Sequence, residues 1–493
     1  MARFLILSRF VILCLLIPLC LLTAAQDGPQ TGVDAPDPPS PLPVILDENL
    51  RFVVGVCTHF SQGKGIVSNN LALIQGAGID AIRDENSWGA VEREKGVYAI
   101  PSPNDAFYRQ AAQMGLHSML VLDYANNHYD DGDRPRSPEA IEAFCRYAEF
   151  VVSHFGPDVS YYEVWNEWDI AIGMKEAYRQ GGTPEDYFAL LKAVYPRIKK
   201  ANPKAIVLGG CPTSGGIRKG WLEKLVGLGV LAYCDAISIH TYNYSEKFPE
   251  KSPEAWAAWM LEIEAMLKKA NKGKDVPIYI TEMGWPTHVG KANSTSLEVS
   301  ASYAGRLFLL ARTLPFLKGM WWYDFQDDGW NPEENEHNFG LVRPDLTPKP
   351  SFNVLRDIAD LVGKGEFIQR LETDVPAVWI LQFRQEGARV WVLWCGDDQE
   401  RQIILKQPEP NALRLMNVQR LGSESYSLRW GYRPWVEERG SEMDATRLAQ
   451  VIGPRPLVLF GNMDGITVEK IIPRFRQTSP GSNTAPPETD PNF

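Results

Sequence analysis

From residue 52 onward the chain alternates between two hydrophobic textures. Apolar runs of six to eight residues recur: FVVGVC (52–57), IDAIRD (79–84), HSMLVLD (117–123), YYEVWN (161–166), KAIVLGGC (204–211), YCDAISIH (233–240), PIYITE (277–282) and GMWWYDF (319–325). Their length and their content of β-branched and aromatic residues predict strands. Longer segments with apolar positions at helical spacing lie between them, among them SPEAIEAFCRYAEFVVSHFG, TPEDYFALLKAVYPRIKKA, SPEAWAAWMLEIEAMLKKA and SFNVLRDIADLVG. Several open on Ser or Thr, then Pro, then Glu. The hydroxyl caps free N–H groups, proline suits the first turn, and the acid opposes the helix dipole.

Eight such strand–helix units over roughly 315 residues predict an α/β fold, a closed (β/α)8 TIM barrel, over 46–363. A doubly wound sheet would close with fewer units and carry a glycine-rich phosphate loop. Neither GxGxxG nor GxxxxGK[ST] follows the first strand. After about residue 364 the texture changes. VWILQFRQ, Glu386-Gly387 and ARVWVLWC read as a hairpin, and RQIILK, ALRLMNV and PLVLFG continue an all-β pattern. A smaller, sandwich-like β domain is therefore expected over 364–475. It is either a sugar-binding module or a packing appendage of the barrel. The appendage is favoured, because neighbouring domains pack by default.

Both ends differ from this body. MARFLILSRFVILCLLIPLCLLTAAQ places Arg3 and Arg9 before a leucine-rich run that closes on Ala24 and Ala25. That is the layout of a signal peptide over 1–25, with an uncleaved membrane anchor as the rival reading. Either way the bulk of the chain is expected outside the cytoplasm, secreted or periplasmic, or tethered to the outer side of the membrane. Residues 26–45, rich in Pro, Asp and Gly, read as a linker, and 476–493 as a disordered tail.

The 493 residues carry a net charge of −11. That excludes nucleic acid as a partner, since phosphate binding needs a concentrated basic surface. Cys57, Cys145, Cys211, Cys234 and Cys395 sit mostly in apolar runs with no CxxC pair, and read as mainly buried free thiols, with one disulfide left open. Seven histidines without HExxH or paired ligand spacing disfavour a metal-dependent hydrolase. No metal and no cofactor is expected. Asp327, Asp328, Glu333 and Glu334 lack the spacing of a calcium loop. The chain is expected to act as a monomer.

In such a barrel the chemistry stands at the C-terminal ends of the strands. Strand four ends in EVWNEWD, with Asn166 and Glu167. Strand seven ends in ITEMGW, with Glu282 and Trp285. Two carboxylates distant in sequence thus reach one rim. Glycoside hydrolysis needs such a pair, one to protonate the leaving oxygen and one to attack the anomeric carbon. A separation of about 5–5.5 Å gives retention of configuration, and a wider gap gives inversion. The like charge nearby raises the acid's pKa.

These two motifs resemble those of the clan A glycoside hydrolases. The clan's acid/base is the Glu of an Asn-Glu pair ending strand four, and its nucleophile is a Glu ending strand seven. Within the clan the chain is most similar to family 39-type enzymes, in particular the bacterial group associated with exopolysaccharide, over about residues 50–362. The resemblance implies Glu167 as acid/base and Glu282 as nucleophile of a retaining enzyme acting on β-linked polysaccharide or oligosaccharide, endo-acting on an exopolysaccharide included. It also implies Arg83 near the nucleophile, compatible with an ion pair to Glu163 inside the barrel. Asn166 is implied on the sugar 2-hydroxyl, Tyr242 as orienting the nucleophile, and Trp322 as an aromatic sugar platform. His240, His59, Trp285, Trp88, Tyr124 and Asn127 are further candidates for the sugar site. Alternation lets only some of Trp321, Trp322 and Tyr323 face it. Two other functions stay open: transglycosylation through the same glycosyl-enzyme, and a non-catalytic polysaccharide-binding or assembly protein.

Overall fold

The computed structural model describes residues 52–175, 178, 180–407, 417–422, 442–444, 447–461 and 463–474. Eight parallel strands close a barrel in sequence order: β1 (Val53–Cys57), β2 (Ala81–Glu85), β3 (His117–Leu122), β4 (Tyr161–Val164), β5 (Ile206–Gly210), β6 (Ala236–His240), β7 (Ile278–Met283) and β8 (Leu317–Trp322), with β8 pairing back onto β1. Each corresponds to one of the apolar runs. Side chains alternate between the two faces, as strand geometry requires. Val54, Val56, Leu120 and Leu122 point to the helical layer, while Val53, Cys57, Met119 and Trp321 fill the barrel interior. Gly55 makes the room for Trp321: a Cβ built there would lie 2.4 Å from the indole.

The helices start where their capping residues predict. Ser137, Thr183 and Ser252 each accept a hydrogen bond from the N–H three residues on, that of Ala140, Asp186 and Ala255. They open the helices Pro138–Phe155, Pro184–Ala201 and Pro253–Ala270, each with proline in its first turn. Each cap stabilises its helix by about 1 kcal/mol.

The β region follows the helix Pro350–Lys364. Among the described residues one sheet has five strands, in the order β13 (Asn417–Arg420), β16 (Leu457–Gly461), β11 (Ala388–Cys395), β10 (Val378–Gln385) and β9 (Glu366–Arg370). A second has four: β14 (Glu442–Asp444), β15 (Arg447–Ile452), β12 (Arg401–Lys406) and β17 (Thr467–Pro473). The β10–β11 hairpin turns on Glu386 (φ 48°) and Gly387 (φ 81°), the left-handed pair that matches the twist of the strands. Trp391 and Leu393 of β11 pack with Ile403 and Leu405 of the second sheet, whereas Val390, Val392 and Trp394 join the core of the barrel. The five-stranded sheet is thus the middle layer between sandwich and barrel. Most of the ALRLMNV segment, the N-terminal apolar run, the Pro-rich stretch and the C-terminal tail lie outside the described residues. Among the described residues no helix is long and apolar enough to cross a membrane.

Candidate active site

Arg83 on β2 and Glu163 on β4 point into the barrel, fully buried. The guanidinium is the centre of the site. Its Nε donates to Glu163 Oε2 at 2.8 Å, its Nη1 to Glu282 Oε1 at 2.7 Å, and its Nη2 to Asn166 Oδ1 at 3.0 Å. The Tyr242 hydroxyl donates to the other Glu282 oxygen at 2.8 Å. Beyond β4 the backbone turns sharply, with Trp165 at φ 70° and Glu167 at φ 50°. Left-handed conformations are costly for side chains of this size, and such strain concentrates at functional sites. The turn brings Glu167 Oε1 to 2.8 Å from His240 Nδ1, which lies 3.5 Å from Glu282 Oε2. Carboxylate oxygens of Glu167 and Glu282 and a ring nitrogen of His240 all lie within 4.8 Å of one another.

The two carboxyls meet different surroundings. Glu282 is held by a guanidinium and a phenol. Burial raises the pKa of Glu167 and the nearby Glu282 adds to the rise, while the His240 hydrogen bond opposes it. Glu163 moves the other way: burial disfavours its charge, but Arg83 and then His240 outweigh that and lower its pKa. Opposite shifts in neighbouring carboxyls, as in Glu163 and Glu167, let one site hold an acid and an anion together. Cys211, itself at φ 47°, places Sγ 3.2 Å from His240 Nε2. Burial pushes its thiol up to about 11.

Two chains of contacts run outward from this centre. On the β2–β3 side, Asn166 Nδ2 donates to the Tyr124 hydroxyl at 3.0 Å, which donates to Glu85 Oε1 at 3.2 Å. On the β8–β1 side, the Tyr242 ring meets Tyr323 edge-on at 6.2 Å, and Tyr323 meets the His59 ring at 5.5 Å. His59 Nδ1 is 2.9 Å from Asp328 and 3.7 Å from Asp324. The Tyr323 hydroxyl donates to Glu336 at 3.3 Å.

No protein-family model and no curated protein matches the sequence. Solved structures do. A family 39 glycoside hydrolase from the gut symbiont Bacteroides cellulosilyticus aligns with a TM-score of 0.67 and 26% identity, over 85% of this chain and 82% of that one. The chain is a glycosidase on an eight-stranded barrel similar to that of the family 39 enzyme. Two more distant structures share the fold: a family 39 β-xylosidase from Caulobacter crescentus (TM-score 0.55, 15% identity, 83% of this chain and 95% of that one), and a family 30 endoxylanase from Clostridium papyrosolvens (0.55, 13%, 84% and 96%).

The glycosidase gathers Glu167, Glu282, Arg83, Asn166, His240, Tyr242, Tyr124 and His59 into one network, including the anticipated Arg83–Glu163 pair. Four expected site residues fall elsewhere. Trp322 is buried with the helical layer, its Nε1 donating to the Phe339 carbonyl at 3.2 Å. Trp321 points into the barrel, so alternation turns Trp322 outward and leaves Tyr323 at the site. Trp285 is fully buried against Tyr303 and Trp322 and donates to the Lys251 carbonyl. Trp88 stacks on Tyr129 and donates to Glu92 Oε2 at 2.6 Å, an apolar packing role. Asn127 lies exposed on the loop after β3, beside Gly132 and apart from this network. Sequence reasoning missed Asp324 and Glu336, for which loop composition offered no signal beyond their acidity, and weighed Asp328 only as a calcium ligand. Ligand-type atoms also cluster at Glu163/Cys211/His240 and at His59/Asp324/Asp328. In both a protein cation already serves the carboxylates: Arg83 in the first and His59 in the second. Asp327 is likewise taken by Lys349, at 2.6 Å.

Proposed function

We propose that the glycosidase is a retaining enzyme that cleaves β-linked polysaccharide or oligosaccharide by double displacement. The observation that carries this is the approach of the Glu167 and Glu282 oxygens to within 4.8 Å. It fits the roughly 5–5.5 Å of retaining enzymes better than the about 6.5–9.5 Å of inverting ones. Glu282, aimed by Arg83 and Tyr242, attacks the anomeric carbon. Glu167, whose pKa burial and the facing Glu282 raise, gives its proton to the departing oxygen. The product is a glycosyl ester on Glu282. Glu167, now a carboxylate, takes a proton from water as the water attacks the anomeric carbon of that ester, which breaks its bond to Glu282 and releases the sugar with its original anomeric configuration.

An exopolysaccharide substrate belongs to this proposal through the resemblance to the bacterial exopolysaccharide-associated group, and internal cleavage is the mode proposed with it. Export from the cytoplasm is supported by the N-terminal segment, whose basic start, apolar run and Ala24-Ala25 suit a signal or anchor.

The test is an activated aryl β-glycoside with azide added. Glu282→Ala should lose about 10³-fold or more in kcat and regain turnover with azide as an α-glycosyl azide. Glu167→Ala should yield the β-glycosyl azide. Full activity in either variant, or exchanged azide anomers, overturns the role assignment. Proton NMR of the first wild-type product should show the β-anomer.

A further inference from the structure

We propose that Trp330 is the platform of an outlying subsite, where a sugar residue of the substrate chain, remote from the cleaved bond, lays its apolar face. The assignment rests on the glycosidase reading above. Among the described residues nine large hydrophobic side chains are exposed. Only Leu261, on the helix Pro253–Ala270, and Ile368, on β9, lie away from the segments that lead out of the barrel strands. The other seven stand on the face that carries the catalytic pair. Trp330 is the most exposed of them, at 67%.

The segment between β8 and the helix Pro350–Lys364 holds Trp330 in place and ties it to the catalytic centre. His337 braces the backbone on both sides of it. The N–H of Asn331, just after Trp330, donates to His337 Nδ1 at 3.3 Å. A Cβ built on Gly329, just before it, would lie 2.6 Å from the His337 ring. Asn338 Nδ2 donates to the Asn331 carbonyl at 2.8 Å. The segment after β7 adds bonds from the Val289 N–H to the Pro332 carbonyl at 2.7 Å and from the Thr287 N–H to the Asn338 carbonyl at 2.9 Å. Glu336, next to the bracing histidine, accepts from the Tyr323 hydroxyl, and Phe339 packs on Tyr242, which holds Glu282. A ring displayed on a loop so held loses little freedom when a ligand stacks on it. Polar groups stand close by in sequence, with Asn335 Nδ2 donating to Glu336 at 2.9 Å. An aromatic surface with a few polar groups at its edge suits a sugar ring, which is apolar on its face and hydroxylated around its rim. The net charge of −11 opposes an anionic membrane as the occupant.

The experiment measures kcat/KM on β-1,4-linked xylo-, cello- and manno-oligosaccharides up to the hexasaccharide, and on the matching aryl and octyl β-glycosides. In a series that is cleaved, Trp330→Ala should lower kcat/KM on the hexasaccharide about tenfold more than on the aryl glycoside. Trp330→Tyr, which keeps a flat ring, should recover most of that difference. An equal loss on both substrates, or no loss on either, overturns the subsite. A loss on the octyl glycoside with none on the hexasaccharide also overturns it, and makes the occupant an apolar aglycone. Where no series is cleaved, calorimetry of the hexasaccharides with Glu167→Gln, with and without Trp330→Ala, decides: an affinity that Trp330→Ala leaves unchanged, or no binding at all, overturns the subsite. Wild-type cleavage by Glu167→Gln overturns the catalytic assignment instead.

Discussion

Among the described residues two buried arginines each hold two acids, and only one of them is at the active site. Arg83 holds Glu163 and Glu282 inside the barrel. Arg306, on the helix Leu297–Thr313, holds Glu254 and Asp398 where the five-stranded sheet meets the barrel. The second network is closed. Glu254 Oε1 takes both Arg306 Nε (2.9 Å) and Trp394 Nε1 (2.7 Å), its Oε2 takes Arg306 Nη2, and the guanidinium also donates to the Gly396 carbonyl. In the first network a third carboxyl, Glu167, faces the held one, and burial raises its pKa. A buried arginine with two acids is therefore not a signature of catalysis. A second carboxyl facing the held one, with its pKa raised, is what separates chemistry from docking.

Arg83→Lys should break the active-site network most severely. A single ammonium cannot reproduce a fork that reaches Glu163, Glu282 and Asn166 together. We expect kcat/KM on an aryl glycoside to fall by about 10³-fold, in the range typical of losing one preorganised electrostatic contact. A loss below tenfold would mean that Tyr242 alone keeps the nucleophile poised.

Arg306→Ala should give the opposite signature. It leaves the half-buried Glu254 without its cation, a loss of about 3 kcal/mol in a chemical-denaturation experiment. The kcat of the folded fraction should stay within twofold of wild type. A large fall in kcat at temperatures where the variant is folded would show that the sheet shapes the site as well as covering the barrel.

The contrast also explains what the sequence made legible. Glu167 and Glu282 could be found because a barrel carries strand ends to one rim, so two short motifs and a strand count sufficed. Trp322 could not be resolved from Tyr323, because a run of three aromatics leaves the inward register of β8 undetermined until Trp321 is seen filling the interior. Trp88 and Trp285 misled because tryptophan suits an apolar core as well as a sugar face. The Arg306 network joins residues 254, 306, 394 and 398, which share no motif. Only the packing of β11 against the helices Pro253–Ala270 and Leu297–Thr313 brings them together.

His240→Ala tests the like-charge argument through pH. The His240 hydrogen bond favours the ionised form of Glu167 and so lowers a pKa that burial raises. Without it the pKa rises further, and protonated Glu167 persists to higher pH. The basic limb of the kcat/KM profile should move up by about one unit, equivalent to about 1.4 kcal/mol. A shift to lower pH would mean that His240 acts mainly by holding the site's geometry.

The finest comparison deletes one neutral donor from each network. Trp394→Phe removes the indole N–H from Glu254 Oε1 and keeps an aromatic ring beside Trp379, with which Trp394 stacks at 5.7 Å. Tyr242→Phe removes the hydroxyl from Glu282 Oε2 at 2.8 Å and keeps the ring against Tyr323 and Phe339. A hydrogen bond to a charged group contributes about 1.5–3 kcal/mol, but each carboxylate keeps its arginine, so the loss in stability should be nearer 1 kcal/mol in both variants. What should differ is turnover. The Glu282 carboxylate changes charge during the reaction and the Glu254 carboxylate does not, so only Tyr242→Phe should lower kcat, by about tenfold (1.4 kcal/mol). Equal effects on kcat would remove the distinction between the two arginine networks, whereas equal effects on stability with unequal turnover would locate it in the change of charge at Glu282.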